Sequence, residues 1–412
     1  MITAPYYNEE PLSRVIGPQL GPDFESCGVR ITIALPHRPD IKMLTCRLLD
    51  ANGHVAAELD APQRNVRWRQ FLFGFPGLSP GAQYHYSFWE GHRALDLDGG
   101  LLPEDCNFTA PVFREGDRFV LLSCNNPFDS RKIGDARFAM WERLAQQISQ
   151  DARIKLVIQG GDQVYHDSIE TECLTTLQSA DGNNSATSAA DESVARAIIR
   201  NYQHFYGHPA YRKIMASVPS VAMLDDHDIT DGWGGRQDSF DDSGSLLPQW
   251  QRYFDLTYDA FKAYQALKNP PFRIHSGSES TYLDFGQNRL FLLDLRREKN
   301  VKNLDEPLVS RAHEAELLKL IETTPAHIAK VFVLSPVVPV RPDEEERLVG
   351  LTSAELASDS REVGDVLLEA ATGQGALLVM GAYGHWRWHE WVFGGATHYV
   401  MRNATVPVLM MH

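Results

Sequence analysis

Five apolar segments of strand length succeed one another between residues 118 and 338, and they constrain the fold most strongly. They are RFVLLSC (118–124), KLVIQGGD (155–162), VPSVAMLDDHD (218–228), NRLFLLDLR (288–296) and KVFVLSPVV (330–338). Segments with helical spacing separate them. Continuous apolar strands that alternate with helices indicate a mainly parallel sheet that is covered on both faces. Chemistry in such folds gathers at the carboxyl ends of the strands, which here carry Cys124, Asp162, Asp226 and Asp294.

Two other parts of the chain differ from this pattern. Residues 1–112 contain short runs rich in β-formers and predict an all-β sandwich of the fibronectin type. In it, GLSPGAQYHYSF (77–88) predicts a turn that a Tyr hydroxyl ties to the next strand. The small polar stretch 177–193 predicts a mobile surface insertion.

Charge and cysteine content narrow the classes of partner and compartment. Asp and Glu outnumber Lys and Arg by 54 to 39, giving a formal charge of −15. This surplus repels polyanions, so we expect no nucleic-acid surface and no membrane binding, although carboxylates can gather around cations. Five cysteines without a CxxC pair, no secretory signal and no long apolar run lead us to expect a cytoplasmic protein.

The second apolar strand ends in a cluster of candidate metal ligands, GGDQVYHD (160–167). An Asp in a tight glycine loop, as Asp162 is, can bridge two metal ions through its two carboxylate oxygens. Tyr165 and Cys124 add a phenolate and a thiolate, which favour iron or zinc over magnesium. The alternatives are that Cys124 is a small buried hydrophobe and that Tyr165 caps a core.

The third apolar strand ends in a similar cluster, LDDHD (224–228). The carboxylates of Asp225 and Asp226 are hard ligands, and His227 can either ligate a metal or protonate a leaving oxygen. The alternative for Asp225 and Asp228 is a role as turn formers or helix caps.

Four motifs of the chain also occur together in a known family: SCN (123–125), GGDQVYHD (160–167), VAMLDDHDITDGWG (221–234) and FLLDLR (291–296). They closely resemble the PhoD-like (alkaline phosphatase D) branch of the metallophosphoesterases, and the resemblance covers about residues 10–345. It implies an α/β core with four αββα layers, at residues 115–345. It also implies a di- or trinuclear centre of iron, calcium, zinc or manganese that hydrolyses small phosphate mono- or diesters.

The same resemblance assigns roles to individual residues. The implied metal ligands are Cys124, Asp162, Tyr165, Asp225 and Asp226, with Asp231 as a further candidate. His227 corresponds to the general acid that protonates the leaving alkoxide after attack by a metal-activated water. Arg296 is a candidate for orienting the phosphate, with a surface ion pair as its alternative role.

The sequence departs from this family where the active site should be completed. After residue 340 the family carries a Ser-Gly-Asp-Val-His-like motif, and no such string follows here. The loss of a ligand motif is expected to weaken metal affinity and activity. His385 or His389 could substitute for the missing histidine, although exposed or stacking histidines beside Trp386 and Trp388 are the simpler interpretation.

Residues 351–412 instead resemble the C-terminal part of universal stress proteins. Gly381, Gly384 and Gly394 follow the spacing with which that family binds nucleotide phosphates through backbone N–H groups. The segment includes neither a first strand nor an Asp for adenine, which favours a structural or homodimer-forming role over ATP binding. The sequence therefore predicts a metallophosphoesterase, with two alternatives: a non-catalytic stress-response or nucleotide-binding protein, or a fusion whose parts do not cooperate.

Overall fold

The computed structural model describes the chain in nine stretches, which are residue 2 and residues 4–128, 135–180, 184–234, 237–241, 243–298, 309–336, 377–381 and 408–411. Within them the fold is mixed α/β with several sheets.

Two antiparallel sheets form the N-terminal part of the protein. Their strands are β1 (Ile16–Asp23), β2 (Gly28–Ala34), β3 (Met43–Leu49), β4 (Val55–Pro62), β5 (Gln70–Phe75), β6 (Gln83–Glu90), β7 (Arg93–Ala94) and β8 (Asn107–Thr109). One sheet has the order β1-β2-β5 and the other β4-β3-β6-β7, with β8 also paired to β6. Both sheets bury alternate side chains in one shared core, as Tyr84, Tyr86 and Phe88 of β6 do. The Tyr84 hydroxyl accepts a hydrogen bond from the Ser79 amide at 3.2 Å, which confirms the predicted tie between turn and strand.

Two further sheets contain the apolar segments. A parallel sheet of order β11-β10-β9 comprises β9 (Arg118–Leu122), β10 (Ile154–Gln159) and β11 (Ser220–Ala222). The other sheet comprises β12 (Thr281–Phe285), β13 (Asn288–Leu292), β14 (Lys330–Ser335), β15 (Leu377–Gly381) and β16 (Val408–Met411), in sequence order. In it, β12 is antiparallel to β13, and the other neighbours are parallel.

These two sheets pack against each other, which explains why their strands are apolar on both faces. Leu156 and Ile158 of β10 join one buried cluster with Leu290 of β13 and Phe332 of β14. Val157, on the opposite face of β10, belongs to a second core shared with helices. The apolar pattern alone predicted one sheet, and the structure divides the strands between two.

Six α-helices lie within the described residues. They are α1 (Ala139–Gln150), α2 (Asp167–Gln178), α3 (Asn184–Tyr206), α4 (Pro209–Ser217), α5 (Pro248–Tyr264) and α6 (Arg311–Glu322). Most of the predicted surface insertion at 177–193 is helical, because α2 reaches Gln178 and α3 begins at Asn184. Ala190 and Val194 of α3, four residues apart, are buried, and small side chains allow α3 to pack closely.

No helix in the described stretches combines the length and the apolarity that a bilayer crossing requires.

Helix α4 joins the antiparallel sheets to the rest of the protein. Its Arg212 is buried, and it donates hydrogen bonds to the carbonyl oxygens of Leu97 at 2.7 Å and Gly17 at 3.1 Å. The Tyr86 hydroxyl of β6 donates to the Ala216 carbonyl at 2.8 Å. The sandwich is therefore held by directed polar contacts as well as by packing.

The C-terminal strands continue the sheet that contains β14. Leu334 pairs with Val379 in β15, and β15 pairs in turn with β16. Gly381, the first glycine of the predicted nucleotide motif, ends β15. Gly384, Gly394, His385 and His389 lie outside the described residues, so both the nucleotide-binding and the histidine-substitution interpretations stay predictions.

Candidate metal centre

Three carboxylates meet where β10 and β11 end. The two strands are parallel neighbours, and Gln159 is paired with Ala222, so the loops that follow them leave the sheet side by side. These loops carry Asp162, Asp225 and Asp226, and one carboxylate oxygen from each lies within 4.8 Å of the others. Asp162 and Asp226 are both buried.

Glycine is required in the first of these loops. Gly161 has φ +100°, and a Cβ added there would lie 2.5 Å from Cβ of Asp225. The missing side chain therefore allows the two loops to approach each other closely.

Cys124 and Tyr165 lie beside these carboxylates. The Cys124 thiol, in the loop after β9, donates to Oδ2 of Asp162 at 3.5 Å. Cys124 and Asp162 both have left-handed backbone conformations, with φ 56° and 54°, and such strain concentrates at functional sites. Burial, together with neighbouring Asp162 and Cys124, raises the pKa of Tyr165. The structure thus brings together Cys124, Asp162, Tyr165, Asp225 and Asp226.

The electrostatics of this group favour a bound cation. Burial, reinforced by the charge of Asp226, raises the pKa of Asp162 to about 7. Burial likewise raises the pKa of Asp225. Burial acts in the same direction on Asp226, but the charges of Arg296 and His227 bring its pKa below its ordinary value. Buried carboxylates need a compensating charge, and three of them with a thiol and a phenol form a donor set that suits a hard or borderline cation.

Arg296 faces these carboxylates directly. Its Nε donates to Oδ1 of Asp225 at 2.7 Å, and its Nη2 donates to Oδ1 of Asp226 at 3.1 Å. A third bond goes from Nη1 to the carbonyl of Trp233 at 3.0 Å. Arg296 is 3% exposed, so the surface ion pair considered as its alternative role is wrong. Its interaction is a buried ion pair within the site.

His227 is held by Asp167, the carboxylate that ends the GGDQVYHD motif. Its Nδ1 lies 2.9 Å from Oδ1 of Asp167, and its backbone N–H donates to Oδ1 of Asp162 at 3.2 Å. Burial alone would lower the pKa of His227, but Asp167, Asp162 and Asp226 together raise it to about 11. Asp167, His227 and Asp231 form a second group whose candidate ligand atoms lie within 4.8 Å of one another.

Asp228 links the two loops through hydrogen bonds to their backbone amides. It is fully buried, and its two oxygens accept hydrogen bonds from the backbone amides of Asp162, Gln163, Val164 and Asp225 at 3.0–3.2 Å. The Gln265 side chain donates a further bond at 2.8 Å. The turn-forming alternative for Asp228 is therefore closer to its observed role than any part in ligand binding.

Asp294, also predicted at a strand end, has a different environment. Its carboxylate accepts hydrogen bonds from the Tyr258 hydroxyl at 2.6 Å and from the Glu279 amide at 3.0 Å. Among the described residues, neither group of candidate ligands includes it. Position at a strand end alone did not identify a site residue.

Comparison with known proteins bears on the family and on the fold. A family model described as PhoD-like phosphatase matches residues 119–324. The uncharacterized protein YGR266W of Saccharomyces cerevisiae is 23% identical over 226 residues, covering 47% of this chain and 32% of that protein. The chain thus spans about a third of the length of that curated relative.

Two solved structures are similar in fold. A structure of PhoD superposes with a TM-score of 0.60 at 14% identity, covering 92% of this chain and 73% of the other. The purple acid phosphatase PPD1 from yellow lupin (Lupinus luteus) seeds gives a TM-score of 0.51 at 10% identity, covering 90% and 58%. At these identities the likeness concerns the fold alone.

Proposed function

The chain belongs to the PhoD-like phosphatase family, and we propose that it catalyses metal-dependent hydrolysis of phosphate mono- or diesters. The observation that carries this proposal is the convergence of Asp162, Asp225 and Asp226 at the ends of two neighbouring parallel strands. Cys124 lies 3.5 Å from Asp162 and extends the donor set. Buried carboxylates this close to one another are costly unless cations balance them.

The proposed metal ligands are Cys124, Asp162, Tyr165, Asp225 and Asp226, with Asp231 as a further candidate. When bound, metal ions at such a site supply Lewis acidity and activate water as a nucleophile. Iron and zinc are candidates because of the thiol and phenol donors. Manganese and calcium are candidates because of the carboxylates.

We assign His227 the role of general acid. Asp167 holds Nδ1 of the ring, so the proton for the leaving-group oxygen is the one on Nε2. The hydrogen bond to Asp167 and the neighbouring carboxylates raise the pKa of His227, which favours the protonated ring that a general acid needs. General acids contribute most where the leaving group is a poor one.

We propose that the main role of Arg296 is to hold the carboxylates of the site. Its hydrogen bonds to Asp225 and Asp226 orient both side chains and offset part of their charge. Orientation of the substrate phosphate by the same guanidinium, which the family resemblance implies, is a second part of this proposal.

The finer features of the chain are also proposals. Two packed sheets support a four-layer αββα core. The lack of the family's Ser-Gly-Asp-Val-His-like motif leads us to propose reduced metal affinity and activity. We propose a structural or dimer-forming role for the stress-protein-like residues 351–412.

The test is hydrolysis of bis-(p-nitrophenyl) phosphate and p-nitrophenyl phosphate by the full chain with Mn²⁺, Zn²⁺, Fe²⁺ or Ca²⁺. Asp162→Asn is expected to lower turnover about 100-fold or more, because a ligand carboxylate is lost. Asp60→Asn is the matched control, since Asp60 is an exposed residue that accepts a hydrogen bond from Thr45 in the sandwich. No turnover with any metal, or equal turnover by the two variants, would contradict the proposal.

A further inference from the structure

An N-terminal arm, residues 4–9, lies against the helices beside the candidate metal centre. Its single turn, Pro5–Asn8, contains two neighbouring tyrosines. The Tyr7 hydroxyl donates to the Ala197 carbonyl in α3 at 2.7 Å, and Arg200 donates to the Tyr7 carbonyl at 2.8 Å. Tyr7 thus anchors the arm to α3 through these two hydrogen bonds.

Tyr6 makes a different set of contacts. Its hydroxyl lies 2.8 Å from Oγ of Ser168, which follows Asp167 in the first turn of α2. The same hydroxyl donates to Oδ1 of Asn201. Tyr6 therefore reaches both the segment that holds His227 and a buried amide in α3.

Asn201 extends this contact to the metal centre. It is fully buried, and its Nδ2 donates to the Tyr165 carbonyl at 2.9 Å and lies 2.8 Å from Nδ1 of His166. Its Oδ1 receives the Tyr6 hydroxyl. Nδ2 contacts the Tyr165 carbonyl and the His166 ring, while Oδ1 accepts the hydrogen bond from Tyr6. Tyr6 therefore helps to fix the orientation of the Asn201 amide.

Aromatic rings connect the arm to the site by a second route. Tyr6 stacks on Phe128 at 4.2 Å between centroids, and Phe128 contacts Phe205 at 5.1 Å. Phe205 is parallel to Tyr165 at 6.2 Å, and Tyr165 stacks on His227 at 4.2 Å. The ring contacts end on Tyr165, a proposed metal ligand, and on His227, the proposed general acid.

From these two routes we infer that Tyr6 is a positioning residue. Its hydroxyl acts through Asn201 and Ser168 to hold the Tyr165–Ser168 segment in place beside His227. This inference rests on the proposed function where it concerns turnover. Displacement of reacting groups by about 1 Å can cost about 100-fold in rate, so a loosened segment should affect catalysis more than substrate binding.

The experiment compares Tyr6→Phe with Tyr7→Phe in the full chain. Each variant loses one hydroxyl and keeps its ring, and only the Tyr6 hydroxyl contacts residues of the site segment. We expect Tyr6→Phe to lower kcat about 10-fold or more with KM changed less than about 3-fold, and Tyr7→Phe to leave kcat near the wild-type value. Thermal unfolding of both variants verifies that each folds.

Hydrogen exchange provides a readout that needs no turnover. Peptides spanning residues 163–169 should exchange faster in Tyr6→Phe than in Tyr7→Phe and wild type, while peptides from β10 stay unchanged. If wild type proves inactive, the proposed function fails, and this exchange comparison alone decides the inference. Equal exchange in the two variants, or equal kcat in an active protein, would overturn it.

Discussion

The backbone amide of Asp162 donates a hydrogen bond of 3.0 Å to Oδ2 of Asp228, which ties the loop after β10 to the loop after β11. Among the described residues Asp228 is in neither group of candidate ligands, yet its carboxylate also receives the amide of Asp225. Both ligand-bearing loops therefore take their conformation from one buried side chain. The geometry of the proposed ligands thus depends on a residue that belongs to neither group of candidate ligands among the described residues.

Asp228→Asn should accordingly destabilise the protein and weaken activity. An amide side chain would direct N–H donors toward backbone N–H groups, and leaving buried donors unsatisfied costs about 2 kcal/mol or more. Chemical denaturation should show a lower midpoint than wild type. Asp50→Asn is the control, because Asp50 accepts the amides of Asn52 and His54 in an exposed turn. A shift no larger than that of Asp50→Asn would contradict the role assigned to Asp228.

Gly161→Ala should disrupt the site through a specific clash. The new Cβ would meet Cβ of Asp225 at 2.5 Å, whereas Gly53, with φ +80°, has open space around it. Gly53→Ala therefore imposes a left-handed alanine without a clash. We expect Gly161→Ala to reduce turnover about 10-fold or more, by displacing the ligand loop, and Gly53→Ala to leave turnover unchanged. Comparable turnover in both variants would show that the close approach of the loops is unimportant.

A buried lysine should make stability depend on pH. Lys268 is fully buried, and desolvation lowers its pKa to about 7. Below pH 7 both folded and unfolded chains bind the proton, and the folded protein bears the full cost of a buried charge. Between pH 7 and about 10.4 the unfolded chain binds more protons, so stability should rise with pH by at most about 1.4 kcal/mol per unit.

Lys268→Met isolates this contribution. The free energy of unfolding of the variant should exceed that of wild type most at pH 6 and least near pH 10, as measured by denaturation at several pH values. Lys42→Met, at an exposed position whose ammonium donates to Gln63 at 3.3 Å, should show a constant difference in unfolding free energy from wild type. A constant difference for Lys268→Met as well would show that the buried lysine does not titrate in this range.

His227→Asn should affect poor leaving groups more than good ones. A general acid contributes about 10²- to 10⁴-fold where the departing oxygen needs a proton. Rates on an alkyl phosphate ester should therefore fall much further than rates on p-nitrophenyl phosphate, whose leaving group departs as an anion. An equal fall for both substrates would assign His227 to ligation or folding in place of proton transfer.

The strand ends were predictable because long apolar runs can only be buried, and polar residues mark where burial stops. Asp162, Asp225 and Asp226 could therefore be placed at one sheet edge from sequence. Asp294 shows the limit of that reasoning, since it satisfies the same pattern and bonds instead to Tyr258. Which way a strand-end carboxylate points depends on packing that no local pattern records.

Partnerships between distant residues were the part that sequence could not supply. Asp167 and His227 are 60 positions apart, and Asp228 bonds to amides of a different loop. Tyr6 reaches Asn201 across 195 positions. Helix α3 was missed for another reason, because Asn and Ser recur in its first turns and favour caps and turns when judged locally.

The central claim is most directly tested by returning metal to protein that has been stripped with EDTA. Metal content by elemental analysis and turnover of bis-(p-nitrophenyl) phosphate should rise together as Mn²⁺ or Zn²⁺ is added. Asp162→Asn, Asp225→Asn and Asp226→Asn should each bind metal about 10-fold or more weakly than wild type. Turnover that persists in metal-free protein, or metal binding that all three variants retain at wild-type affinity, would contradict a carboxylate-held metal centre at this site.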